Sequence, residues 1–176
     1  MKMNSQNKIE KWLKDVIIGL NLCPFAKDPF EKNKIRIEIS TTQHEDNIWK
    51  KTLDEIDLLE KNKNLSTTLL CFPKSNISFY DLNYLVLNLE KMLEVKNIPY
   101  QVVAFHPEFK FNDTTADNRV NYVNRSPYPL IHILREEEMN KVIKDETIGE
   151  KINHQNEKTL NELPEHLFNQ LFKQNF

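Results

Sequence analysis

The sequence predicts an α/β fold in one domain, 1–176: a small, mostly parallel sheet of three to four strands, with helices packed on it and a helical tail over 145–176. Three observations lead there. Short apolar runs of strand length alternate with longer segments whose apolar residues recur at helical spacing. Two successive strand–helix–strand crossovers have a standard solution, parallel strands joined by right-handed connections. A chain of 176 residues, 39% hydrophobic and 10% aromatic, is long enough to bury about 70% of its unfolded surface in one core.

The elements follow in order. Ile9, Trp12, Leu13, Val16 and Ile17 recur at helical spacing, which predicts an amphipathic helix from Ser5 to Ile18, with Ser5 as its cap and Gly19 as its stop. An apolar connector, Gly19 to Ala26, carries one thiol and one amide. Lys34 to Ser40 alternates strictly, with Ile35, Ile37 and Ile39 on one face and Arg36 and Glu38 on the other, the pattern of a half-exposed strand at or near an edge. Ile48, Trp49, Leu53, Ile56, Leu58 and Leu59 predict a helix over Glu45 to Lys61. Thr67 to Phe72 is a compact apolar run closed by Pro73, a strand covered on both faces. Ser78 caps a third helix reaching Val95, whose apolar stripe is assigned Tyr80, Leu82, Leu85, Leu89, Met92 and Leu93. Leu130 to Leu134 reads as a fourth strand of undetermined direction. A helix follows from Glu136 through Met139, Val142 and Ile143, then the amphipathic tail from Asp145, with Leu163-Pro164 opening its last segment.

Composition excludes several functions. A net charge of −2 and a pI near 6.2 argue against nucleic acid as a partner, since such domains are strongly basic. No apolar run is long enough to span a membrane, and Lys8, Glu10, Lys11, Lys14 and Asp15 break up the early apolar clusters. The sequence therefore reads as a cytoplasmic protein with no membrane partner and two reduced thiols, Cys23 and Cys71. Glycine occurs only at Gly19 and Gly149, so no phosphate-cradling glycine loop exists and no cofactor is expected. Oligomeric state is not fixed by any of this.

The stretch around which the chain is organised runs from Gln101 to Glu136. It begins as a strand, Val102 to Phe105, turns at His106-Pro107 and continues as a polar loop ending Asn124-Arg125-Ser126-Pro127-Tyr128-Pro129. Ligands of open α/β sheets sit beyond the carboxyl ends of the strands, and structureless loops above about 15 residues usually carry function. Against 20 lysines the chain has four arginines, and three of them, Arg119, Arg125 and Arg135, fall in this stretch. A planar fork suits bidentate grip of a carboxylate or phosphate, and equally an internal pair with Glu or Asp.

The motifs Gly19-Leu20-Asn21-Leu22-Cys23-Pro24-Phe25-Ala26, Phe105-His106-Pro107, Asn124 to Pro129 and His132 to Glu136 together resemble a bacterial family, domain of unknown function 1415, over nearly the whole chain. Thr67 to Leu70, Gln101-Val102, Phe111, Asp117, Asn121, Asn156 and Leu160 also sit where that pattern places them. Val123 departs from it, standing where a threonine is expected. The resemblance implies a single-domain form and supplies no activity.

From the residues, the leading expectation is a small enzyme acting on a small anionic substrate. His106 is its acid or base and Cys23 its nucleophile or a pocket wall, with Asn21, Asn124, Arg125, Ser126, Tyr128, Arg135 and Glu136 as substrate-binding residues. If the fourth strand is antiparallel to the third, Asn124 and Arg125 return beside His106; if parallel, Arg135 and Glu136 do. Cys23 as plain core is the stronger reading of that thiol. His106, Cys23, His132 and Asp117 match no standard zinc spacing, so no metal is assigned. The competing expectation is a non-catalytic binding module for a small ligand or a protein, built on the same Arg, Asn and His residues.

Overall fold

The computed structural model describes residues 4–142 and 146–173. Four strands, β1 (Ile35–Ile39), β2 (Thr67–Cys71), β3 (Tyr100–Phe105) and β4 (Leu130–Arg135), form one sheet in the order β1-β2-β4-β3. β1 pairs parallel with β2, while β4 runs antiparallel to both β2 and β3. The sheet is therefore mixed, not mostly parallel as the alternation of elements suggested. β1, β2 and β3 do point the same way, but β4 inserts between β2 and β3 and takes both of their ladders. That slot is filled because β4 carries alternate residues to both cores, with Ile131 and Ile133 on one face and Leu130 on the other. The more amphipathic β1 is left at one edge and β3 at the other.

Each face carries its own core. On one, α3 (Glu45–Lys61) and α4 (Phe79–Val95) cover Leu70, Val102, Ala104, Ile131 and Ile133. α4 starts at Ser78, whose hydroxyl accepts the Asp81 N–H at 3.2 Å, and it buries Phe79, Leu82, Leu85, Val86, Leu89 and Leu93. Each such side chain is worth about 1.5–3 kcal/mol of transfer free energy, which holds this face of the helix to the sheet. Tyr80, expected in that stripe, lies on the solvent face. Its position at i−2 from Leu82 turns it away from the buried row.

On the other face, α1 (Ser5–Trp12) and its π-helical continuation (Leu13–Ile18) bury Ile9, Trp12, Leu13, Val16 and Ile17. The cap is Asn4, not Ser5, its side chain accepting the Asn7 N–H at 2.8 Å. The helix widens past Trp12, with Gly19 N–H reaching Lys14 O and Leu22 N–H reaching Ile17 O, both at 2.9 Å. α2 (Lys27–Glu31) leads from the connector to β1. α5 (Glu136–Val142) leaves β4 directly, and α6 (Glu146–Glu162) and α7 (Glu165–Phe168) close the chain. Ile143 and Asp145 lie outside the described residues. Leu160, Phe168 and Phe172 join the α1 cluster, so the described part of the tail packs on the sheet. With so few glycines, asparagine takes the left-handed positions: Asn21, Asn33 and Asn97 have φ of 54°, 54° and 53°.

Candidate functional site

The carboxyl ends of β1, β2 and β3 share one edge of the sheet, and β4 begins there. Ser40 N–H donates to Cys71 O at 2.8 Å, Phe72 N–H to Pro129 O at 2.9 Å and His106 N–H to Asn124 O at 3.2 Å, so the strand ends and the long loop are laced together. The antiparallel β4 brings Asn124 and Arg125 back beside His106. Arg135 and Glu136 consequently sit at the opposite edge, where Glu136 N–H donates to Pro99 O.

His106 is buried on the α4 face. Its Nδ1 accepts the Glu108 N–H at 3.0 Å, so the proton is on Nε2, which lies 3.1 Å from Ile77 O. Both nitrogens are occupied, and burial pushes the ring below the usual histidine range, the Ile77 carbonyl and the Glu108 charge opposing it. Cys23 packs at the margin of the α1 cluster, on the other face. No described hydrogen bond or ring contact joins the two residues, so the structure does not bring them together. Burial raises the Cys23 thiol, while backbone hydrogen bonding from Phe25 and Ala26 lowers it in part. Cys71 is pushed up by burial alone.

Each arginine of the stretch grips backbone carbonyls. Arg125 donates to Phe109 O at 3.0 Å and Ala116 O at 2.6 Å, with its guanidinium 4.3 Å from the Tyr122 ring centre. Arg135 is buried, donating to Leu59 O and, at 3.3 Å, to Leu65 O and Asn62 O. It ties the end of α3 to β4 and donates to the Tyr100 hydroxyl at 2.6 Å. Arg119 donates to Leu163 O at 2.5 Å, pairs with Glu165 and stacks on Phe168, fixing the end of α6. Asn121 is fully buried and pins the loop: its Oδ1 accepts from Phe111 N–H and the Thr114 hydroxyl, and its amide donates to Thr115 O.

Other residues of the sequence-derived set are likewise occupied. The Ser126 hydroxyl donates to Tyr128 O at 2.6 Å. Asn21 is exposed and holds a left-handed turn between the π-helical segment and Leu22, whose carbonyl accepts the Asn156 amide at 2.9 Å. His132 lies on the α1 face. The Thr67 hydroxyl donates to Ile133 O at 2.5 Å, so Nε2 of His132, 2.8 Å from that hydroxyl, carries its proton. Although the ring is partly exposed, its apolar surroundings push it down to about 4. His106 and His132 face opposite sides of the sheet, and no cluster of three or more His, Cys, Asp or Glu among the described residues is placed to hold a metal.

Three further polar side chains lie where the end of the loop meets α1. Asn124 and Tyr128 are half-buried and make no side-chain hydrogen bond to a described residue. Lys8, half-buried on α1, holds its ammonium 5.6 Å from the centre of the Tyr128 ring and forms no ion pair with a described carboxylate. Trp12, one turn on, donates its indole N–H to Arg125 O at 3.1 Å, which anchors α1 against this corner. Sequence reasoning missed Lys8. The signal available was its spacing: four residues before Trp12, it lies on the helical face that packs on the sheet.

A family model described as Protein of unknown function (DUF1415) matches residues 4–170. The chain belongs to this family. No curated protein and no solved structure matches it. Among the described residues, no helix is long and apolar enough to cross a membrane.

Proposed function

We propose that the carboxyl-edge corner formed by Lys8, Asn124 and Tyr128 binds a small anionic molecule, and that the protein works as a binding module. The observation that carries this reading is the Lys8 ammonium, half-buried over the Tyr128 ring without a carboxylate partner among the described residues. A partly desolvated cation with no counter-charge favours an anion, and an adjacent amide and phenol supply the hydrogen bonds that fix its orientation. The arginines of the same stretch shape the loop; the anion meets lysine. Binding without chemistry is favoured because His106 has both ring nitrogens occupied on the far face, and because burial holds Cys23 as a thiol.

The enzyme reading keeps one specific support, the backbone groups of Phe25 and Ala26 beside Cys23, which lower its thiol in part. Alkylation separates the readings. A reactive Cys23 takes iodoacetamide within minutes in the folded protein at neutral pH, whereas the binding module is alkylated only on unfolding. Titration with inorganic phosphate and small carboxylates tests the binding site itself. Amide shifts are expected to gather at Lys8, Asn124 and Tyr128 and to vanish in Lys8→Gln; shifts that persist in that variant contradict the assignment.

A further inference from the structure

The outer face of α4 carries large apolar side chains where a helix packed on a sheet ordinarily turns polar groups to solvent. Tyr80, Tyr84 and Leu87 follow at i, i+4 and i+7 and are 70%, 71% and 59% exposed, and Val95 extends the same side at 73%. Beside this stripe, between α4 and the β3 edge, lies a cleft of about 470 Å³ lined by Leu87, Glu90, Lys91, Glu94, Gln101 and Glu136. Its charge is one-sided. Three carboxylates face one ammonium, and Glu136 opens α5 with Glu137 and Glu138 behind it.

The charge selects among occupants. A second copy docked here across a two-fold axis would set Glu90, Glu94 and Glu136 against their own equivalents, which is repulsive. No metal-binding set exists there among the described residues. Unselective strand addition to β3 is blocked, because the outward Val102 N–H already donates to the Glu90 carboxylate. That carboxyl is raised by burial, with Glu136 and Glu94 adding to the effect and the Val102 N–H opposing it, so a cation brought into the cleft relieves an existing strain among like charges. We propose that the α4–β3 cleft and the Tyr80-Tyr84-Leu87 stripe dock a segment of another protein that carries lysine or arginine together with apolar side chains. Its cations meet Glu90, Glu94 and Glu136, and its apolar side chains cover Leu87 and Tyr84. This surface lies on the α4 side of the sheet and Lys8 on the α1 side, so its fate is independent of the anion site.

The probe is a fluorescein-labelled ten-residue peptide alternating lysine and valine, with a glutamate–valine peptide as its counterpart. Anisotropy should show the basic peptide binding and the acidic one not. Amide shifts should map to Leu87, Gln101 and Glu136. Both Glu90→Gln/Glu94→Gln/Glu136→Gln and Tyr84→Ser/Leu87→Ser should weaken binding at least tenfold while circular dichroism stays native; the second variant changes only exposed side chains, so its fold is secure. The proposal is overturned if the basic peptide does not bind, if both peptides bind equally, if shifts map elsewhere, or if either variant binds as wild type. It is also overturned if sedimentation shows a wild-type dimer that Tyr84→Ser/Leu87→Ser dissociates, since a second copy would then own the face.

Discussion

The Arg125 guanidinium donates to two carbonyls of its own loop, Phe109 and Ala116, and lies over Tyr122. Lysine keeps the charge and loses the fork. Arg125→Lys is therefore expected to cost about 1–3 kcal/mol, the worth of hydrogen bonds from a charged donor, read as a lower urea midpoint at constant slope with anion binding retained. The concentration of arginine in this stretch was legible in the composition, but its partners were not. A carbonyl cage and an anion site demand the same planar fork, and only the path of the loop decides between them. His106 shows the same limit: a histidine at a strand end suits catalysis, and only the fold reveals that Ile77 O and Glu108 N–H occupy its ring. His132 gives the pH behaviour. Its folded value near 4 lies below the ordinary 6.5, so the neutral form is favoured in the fold. The stability it contributes is complete above the unfolded value and is lost as pH falls from about 6.5 toward 4, about 2 kcal/mol after allowing for the solvent that reaches the ring. His106 shifts the same way. Urea unfolding between pH 7 and 4 should show a steeper loss in wild type than in His132→Gln; parallel curves contradict it.

At the scale of elements, apolar periodicity located the helices and strands because burial on one face imposes it. β1 reads as the half-exposed edge and β2 as the covered strand, and both are so in the structure. The π-helical stretch after Trp12 was not legible, since widening a helix leaves the spacing of Val16 and Ile17 nearly unchanged. Gly19 marks where it ends. Its φ of −62° and ψ of −36° suit any residue, and by propensity alone alanine would gain about 1 kcal/mol there. A Cβ on Gly19 would instead run into the Asp15 carbonyl. Gly19→Ala is thus expected to destabilise by about 1–3 kcal/mol, the usual cost of overpacking, measurable as a fall in urea midpoint. A gain in stability would mean that the tight approach relaxes freely. Tyr80 shows the complementary error, an aromatic residue assigned to the buried row by composition when its angular position places it outside.

For the whole molecule, strand direction was the missing datum. Element order alone supports a parallel sheet, and nothing local in Leu130 to Leu134 says that it enters between β2 and β3 running the other way. That insertion moves Arg135 and Glu136 to the opposite edge from His106 and brings the loop end to α1, where Lys8 lies over Tyr128. The loop returns beside the strand ends, as expected for an antiparallel β4; Lys8, over the Tyr128 ring, comes from a helix more than a hundred residues away in sequence, a contact no pattern along the chain encodes. The direct measurement is a thermal-shift screen of wild type and Lys8→Gln against inorganic phosphate, phosphorylated metabolites and small carboxylates. An anion at a hundred times its dissociation constant should add about 2.7 kcal/mol of stability to wild type and nothing to Lys8→Gln. A hit retained in Lys8→Gln, or no stabilisation by any anion, would contradict the account.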